Sequence, residues 1–277
     1  MNTSLKQQFY YHADGAAVGG YLTLPSEKVV SSRASASLAQ AGGEDSKSTS
    51  KIEGHGVFTV GRASVRVHGR HEPENGLWRS VVTSTVEKVN VQEIITADRI
   101  VAQLSVMHWA DGRPDRISIS GTQYLNLRMG GELVTPVLID QTFQLGPDVV
   151  RPDEPDFEAL PTFDSLYGIA RDQYVNALEQ KAWPDWLRAR FTSKDPPTSL
   201  RDGGSVLCSI VKEVPVKSPL VNYGHVVRVP DFGNVFLGEL LVSPKQTHIT
   251  MLRAELGSLG QGVVSFASAH SNGRTIP

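Results

Sequence analysis

A chain of 277 residues with 40% hydrophobic and 20% charged residues can bury a sizeable core, as one large domain or two small ones, and is too apolar for global disorder. Its 27 basic residues nearly balance its 29 acidic ones, a formal charge of −2, which argues against nucleic acid or an anionic membrane as the main partner. The single cysteine, Cys208, excludes an intrachain disulfide framework and a cysteine-based structural zinc site.

The first twelve residues hold no apolar h-region, and no window approaches the roughly 18–20 apolar residues of a spanning helix. The cytoplasm is the expected compartment, with a secreted or surface location as the alternative. Residues 8–24 read as an opening strand or hairpin broken at Gly19-Gly20. In 29–39, Ala34, Ala36 and Leu38 alternate with Ser35 and Ser37, so a closely approaching partner is expected. Ala41 to Lys51, AGGEDSKSTSK, reads as a mobile loop, because no apolar residue anchors it. Residues 56–61 and 63–68 read as two strands, or as one long strand bent at Gly61. Glu72 to Gly76 is a turn with Asn-Gly chemistry. From Leu77 to Thr142 one strand-like run follows another. Within it Ile100, Ala102, Leu104 and Val106 share one face, and Arg99, Gln103 and Ser105 share the other.

The composition changes after Gly146. Residues 148–202 hold seven Lys or Arg against eleven Asp or Glu, and the acidic, Pro-rich connector from Pro147 to Glu158 is expected not to join a ladder. Asp164 is placed to cap a helix over about 165–182, with Leu166, Ala170, Tyr174, Ala177 and Leu178 at helical spacing. Pro184 ends or bends it, and Asp185 to Phe191 adds a second short helix. Strands resume at 205–214, 224–229, 234–242 and 247–255, with a last one at 262–267. The expected class is mainly β, a large sandwich-like or solenoid-like sheet body with one helical insertion. Its parts are an N-terminal β body (1–146), an acidic linker with the helical insertion (147–204), and C-terminal strands completing the same body (205–277).

No local spacing encodes a reactive centre. The chain has no G-x-S-x-G elbow, P-loop, G-x-G-x-x-G or H-E-x-x-H. The densest cluster is His68-Gly69-Arg70-His71-Glu72. On a strand His68 and Arg70 share a face and His71 opposes them, so the two histidines make poor joint ligands. The other histidines, among them His12, His248 and His270, are scattered. The acidic run lacks calcium-loop spacing, which leaves Asp153 and Asp156 beside His68 and His71 as weak metal candidates. No metal or cofactor is expected. Arg70, Trp183 and Trp186 are candidates for a ligand or partner surface, the two tryptophans also as an anchor of the helical segment on the sheet. Cys208, within Val206 to Val211, reads as a buried structural residue. Glu239 and Glu255 are charges embedded in apolar strands, and Arg253 or Arg228 would have to pair with them.

The pieces Ala13-Asp14-Gly15-Ala16-Ala17-Val18-Gly19-Gly20, Ile95 to Ala102, Leu125-Asn126-Leu127-Arg128, Val229 to Gly233, Phe236 to Leu240, Thr250 to Gly257 and Asn272 to Thr275 resemble a family of uncharacterised bacterial proteins. That resemblance spans nearly the whole chain and implies no catalytic residue. The stretch 84–134 is similar, more weakly, to β modules of bacterial surface proteins of the choice-of-anchor type.

The function expected from these features is a non-catalytic binding or structural module. Its partner is another protein or itself, the latter through sheet edges. A hydrolase or lyase, with a cleft between the β body and the helical segment, is the alternative. A pore-forming β protein with Ser- and Thr-rich hairpins is a third reading.

Overall fold

In the computed structural model the described residues are 8–139, 150–151, 154–155, 168–169, 172–173, 179, 183–191, 206–243, 246–257 and 260–276. Six long strands come first: β1 (Gln8–Leu24), β2 (Lys28–Ser37), β3 (Gly43–Gly54), β4 (Phe58–Glu72), β5 (Leu77–Val91) and β6 (Ile95–Trp109). Short strands follow: β7 (Arg116–Ser118), β8 (Gln123–Leu125), β9 (Arg128–Met129), β10 (Glu132–Leu133), β11 (Val137–Leu138), β12 (Val150–Arg151) and β13 (Glu154–Pro155). Helix α1 (Asp185–Phe191) precedes β14 (Val206–Ser209), β15 (Val211–Glu213), β16 (Val221–Tyr223) and β17 (Val226–Val229). Three long strands close the chain: β18 (Gly233–Ser243), β19 (Gln246–Gly257) and β20 (Gln261–Ile276).

Two eight-stranded sheets carry most of the strands; β11 pairs with β15 and β12 with β13 in two-stranded sheets, and the second sets Pro155 opposite Val150, so the acidic connector does join a short ladder. Sheet A runs β16-β17-β18-β19-β20-β1-β2, with β14 beside β18. Sheet B runs β10-β9-β6-β5-β4-β3, with β7 and β8 also pairing with β6. Every pairing among the described residues is antiparallel, so the body is a sandwich of meanders and not a solenoid of parallel rungs. The last strand returns to the first: β20 pairs with β1 from Gln8↔Ile276 to Leu24↔Gln261.

Inward-facing side chains of both sheets make one core. Phe58 of sheet B meets Phe266 of sheet A edge-to-face, with ring centroids 5.5 Å apart. Full burial of one such ring stabilises by about 1.5–3 kcal/mol. The sheets approach closely at Gly15, where an added Cβ would lie 2.8 Å from Val65 and 2.9 Å from Val82. Three polar links cross the core: Ser80 Oγ to Ser271 Oγ at 2.7 Å, Ser84 Oγ donating to the Ala16 carbonyl at 3.1 Å, and Tyr124 Oη donating to the Met251 carbonyl at 2.5 Å. Burial pushes the Tyr124 phenol well above its usual range, so it stays a donor.

A crease runs across each sheet. In sheet A it passes through Gly238, Met251, Ala267, Ala17 and Ala34, and alternate members Gly238, Ala267 and Ala34 have φ near +50 to +60°. In sheet B it passes through Lys51, Gly61, Lys88, Asp98 and Asn126, and Lys51, Lys88 and Asn126 are left-handed. A left-handed residue interrupts the ladder and resets the inward-outward alternation. The sheet A crease residues all point into the core, and those of sheet B all point to solvent. Two stacked sheets therefore bend in the same sense. The Met251 carbonyl that accepts from Tyr124 is released from the ladder by this crease.

Residues 8–24 form one strand, the first of the two readings; β20 pairs with it on both sides of Gly19-Gly20, and only the register against β2 shifts there. One further sequence expectation changes. The expected loop at 41–51 is most of β3, an edge strand paired with β4 from Gly43↔Gly69 to Gly54↔Phe58. An edge strand with one bonded side needs little apolar anchorage, and Ser and Thr suit its solvated positions. The bend expected at Gly61 is present, as part of the crease. Of the helix expected at 165–182, residues 168, 169, 172, 173 and 179 are helical and the remainder lies outside the described residues. No helix among the described residues is long and apolar enough to cross a membrane.

Candidate functional site

The outer face of sheet A carries a polar tract that strand pairing assembles from distant segments. His248 of β19 lies opposite His270 of β20, and His270 lies opposite Asp14 of β1. His12, two residues before Asp14, projects from the same face because side chains on a strand alternate. His270 Nδ1 is 2.8 Å from Asp14 Oδ1, and His12 Nε2 is 3.9 Å from the same oxygen. The rings of His12 and His270 meet edge-on at 5.1 Å, and those of His248 and His270 lie 6.1 Å apart. One ligand atom from each of His12, Asp14 and His270 can be chosen so that all lie within 4.8 Å of one another.

The electrostatics of the tract are coherent. The hydrogen bond from His270 holds the Asp14 carboxyl below its usual range, against the opposing effect of partial burial. Asp14 is therefore an ionised acceptor, and His270 presents Nδ1–H to it. The other ring nitrogen, His270 Nε2, is buried with no hydrogen-bond partner among the described residues. Burial lowers the His248 pKa, the neighbouring His270 lowers it further, and Asp14 acts against both. Thr250 Oγ1 stands 3.2 Å from His248 Nε2 and 3.2 Å from Ser268 Oγ, extending the tract along the two strands.

Beside it lies a tighter cluster. Arg253 donates to Glu239 through Nε at 2.5 Å and Nη2 at 2.9 Å, and to Glu255 through Nη1 at 2.5 Å. Its guanidinium sits 3.7 Å from the centroid of Phe236. Burial alone would lower the Arg253 pKa, but the two carboxylates outweigh it and raise the pKa. Helix α1 covers the adjoining part of the face: Leu187 is buried with Val226 and Phe236, and Trp183 and Tyr223 pack around them.

A family model described as "Domain of unknown function (DUF8256)" matches residues 9–243. The chain belongs to this family. No curated protein and no solved structure matches it. The DUF8256 match takes in His12 and Asp14, all of sheet B, and β18, and it ends before His248 and His270. The tract is therefore completed by strands beyond the matched region.

Among the residues marked out in the sequence, His68 is half-buried on the outer face of sheet B, opposite Glu44 and Val81. His71 faces the other way and stacks on Trp78 at 4.8 Å and 14°. The structure does not bring these two histidines together. Arg70 pairs with Glu72 at 2.5 Å. Trp186 is 38% exposed and meets Phe236 at 6.4 Å. Asp153 and Asp156 lie outside the described residues. The embedded Glu239 finds Arg253, one of the two partners expected. Cys208 is buried on β14, its thiol pushed up to about 12 by burial and 3.5 Å from the Leu240 carbonyl. The residues that sequence reasoning left scattered, His12, His248 and His270, converge with Asp14. The one local signal was His12-x-Asp14, a strand spacing that places both on one face.

Proposed function

We propose that this protein is a non-catalytic binding module that takes its ligand on the outer face of sheet A, at the His12, Asp14, His248 and His270 tract. One observation carries this reading: His270, only 15% exposed, is oriented by Asp14 through Nδ1 while its buried Nε2 has no partner. A sheet face that served stability alone would hold β-branched or solvated polar residues there. Crowding three imidazoles around one carboxylate and leaving a buried nitrogen unmet costs free energy, and such arrangements persist where a site needs them. The dyad activates no nucleophile, because no hydroxyl among the described residues reaches Nε2.

The test replaces the dyad with good strand formers. The double variant Asp14→Thr with His270→Val is expected to melt at the same temperature as the native chain or a few degrees higher, as residues reserved for a ligand would. A lower Tm would make the dyad a structural element and end the reading. Turnover of chromogenic esters, phosphomonoesters or glycosides, abolished by Asp14→Asn, would overturn its non-catalytic part.

A further inference from the structure

We infer that His12, Asp14 and His270 form a binding site for a divalent transition-metal ion of the zinc class, with the His248 imidazole alongside. This inference rests on reading the tract as a binding surface and names the ligand.

The donor set selects the ion class. Two imidazoles and one carboxylate suit Zn²⁺, Co²⁺, Ni²⁺ or Cu²⁺, whereas Ca²⁺ and Mg²⁺ ask for several oxygens. Ligands of a tetrahedral Zn²⁺ at its usual bond lengths lie about 3.4 Å apart. The two observed separations, 2.8 Å from His270 Nδ1 to Asp14 Oδ1 and 3.9 Å from His12 Nε2 to the same oxygen, fall on either side of that value. The ligand atoms of all three residues lie within 4.8 Å of one another, so side-chain shifts of about an ångström bring them to bonding distance. On binding, the ion takes the Nδ1 lone pair of the Nε2–H tautomer of His270 in place of the Nδ1–H···Asp14 hydrogen bond, so the ring proton moves from Nδ1 to Nε2 and the imidazole stays neutral.

The scaffold favours the site further. Asp14 and His270 are directly paired on adjacent central strands, and His12 follows on the same strand face, so backbone pairing places all three. Three protein ligands leave a position for water or a ligand group, the arrangement of an open zinc site. His12 stands at the solvent side, 62% exposed, and gives the ion a way in, while His270 closes the inner side.

The experiment uses the full chain without a polyhistidine tag, stripped with chelator and titrated calorimetrically with ZnCl₂. One equivalent is expected to bind. Asp14→Asn, His12→Gln and His270→Gln should each weaken binding by at least about tenfold, since even an outer-shell partner is worth 10–100-fold. His68→Gln, on the opposite sheet, should leave it unchanged. Absence of binding above the buffer control, or binding that survives all three variants, would overturn the inference. Should a variant fail to fold, X-ray absorption of the wild-type chain with one equivalent of Zn²⁺ decides: two imidazoles and a carboxylate support the site, and fewer than two imidazoles overturn it. If no zinc binds while the Asp14→Thr/His270→Val variant keeps or gains Tm, the ion falls and the binding surface stands. If zinc binds at these ligands while that variant melts lower, the ion stands as a structural centre and the binding-surface reading falls.

Discussion

On the outer face of sheet B, Arg66 and Glu44 pair at 2.7 Å with 68% and 47% of their side chains in water. On the outer face of sheet A, Arg253 grips Glu239 with both groups largely out of water, beside Phe236 and under the edge of the helical segment. The chemistry is the same and the surroundings differ. An exposed pair is screened and replaceable, whereas a buried one has lost its hydration and depends on its partner. The same contrast separates the plain Ser, Thr and charged surface of sheet B from the half-buried histidine tract of sheet A.

The largest expected effect that would break this contrast is at Glu239. Glu239→Ala leaves Arg253 with one carboxylate instead of two, and unfolding in urea should show a loss of about 3–5 kcal/mol. Glu44→Ala on sheet B should be indistinguishable from the native chain in the same assay. Equal losses would show that the two faces are energetically alike.

The creases sharpen the comparison at a smaller scale. Gly238→Ala puts a Cβ at φ +59° and 2.6 Å from Ile210 in the core, and should cost about 1–3 kcal/mol. The matching position of sheet B is Lys88, left-handed at φ +53° but pointing to solvent. Lys88→Gly relieves its strain and should raise stability by up to about 1 kcal/mol. A loss at Lys88 would mean that its side chain, not its backbone, holds the crease.

The smallest effect is a pH dependence. His248 has a folded-state pKa below its ordinary value, so above the ordinary histidine pKa of about 6.5 it is neutral in both states and contributes no slope. As pH falls through that value the unfolded chain takes the proton first, and stability declines until the folded-state pKa is passed. Tm measured from pH 7.5 to 5 should fall, and part of that fall should vanish in His248→Gln. A slope unchanged by His248→Gln would refute the burial of this imidazole.

Long strands were legible where alternation was strong, as in Ile100, Ala102, Leu104 and Val106 of β6. Legibility failed where pairing overrides composition. The SKSTSK stretch of β3 has no apolar stripe and is a strand because β4 offers it a ladder. Glu239 and its arginine could be anticipated, since a charge inside an apolar run demands a partner. The histidine tract could not: each member taken alone is an ordinary polar residue on a strand, and only the His12-x-Asp14 spacing is local.

Sequence alone determined the β class, the near-neutral surface, the buried thiol and the absence of any disulfide, because alternation and composition are properties of short segments. Which strands became neighbours was decided by the fold. The return of β20 to β1 sets His270 against Asp14, and the pairing with β19 adds His248. Register between strands far apart in the chain is set by the packing of two whole sheets, and no short segment contains that information.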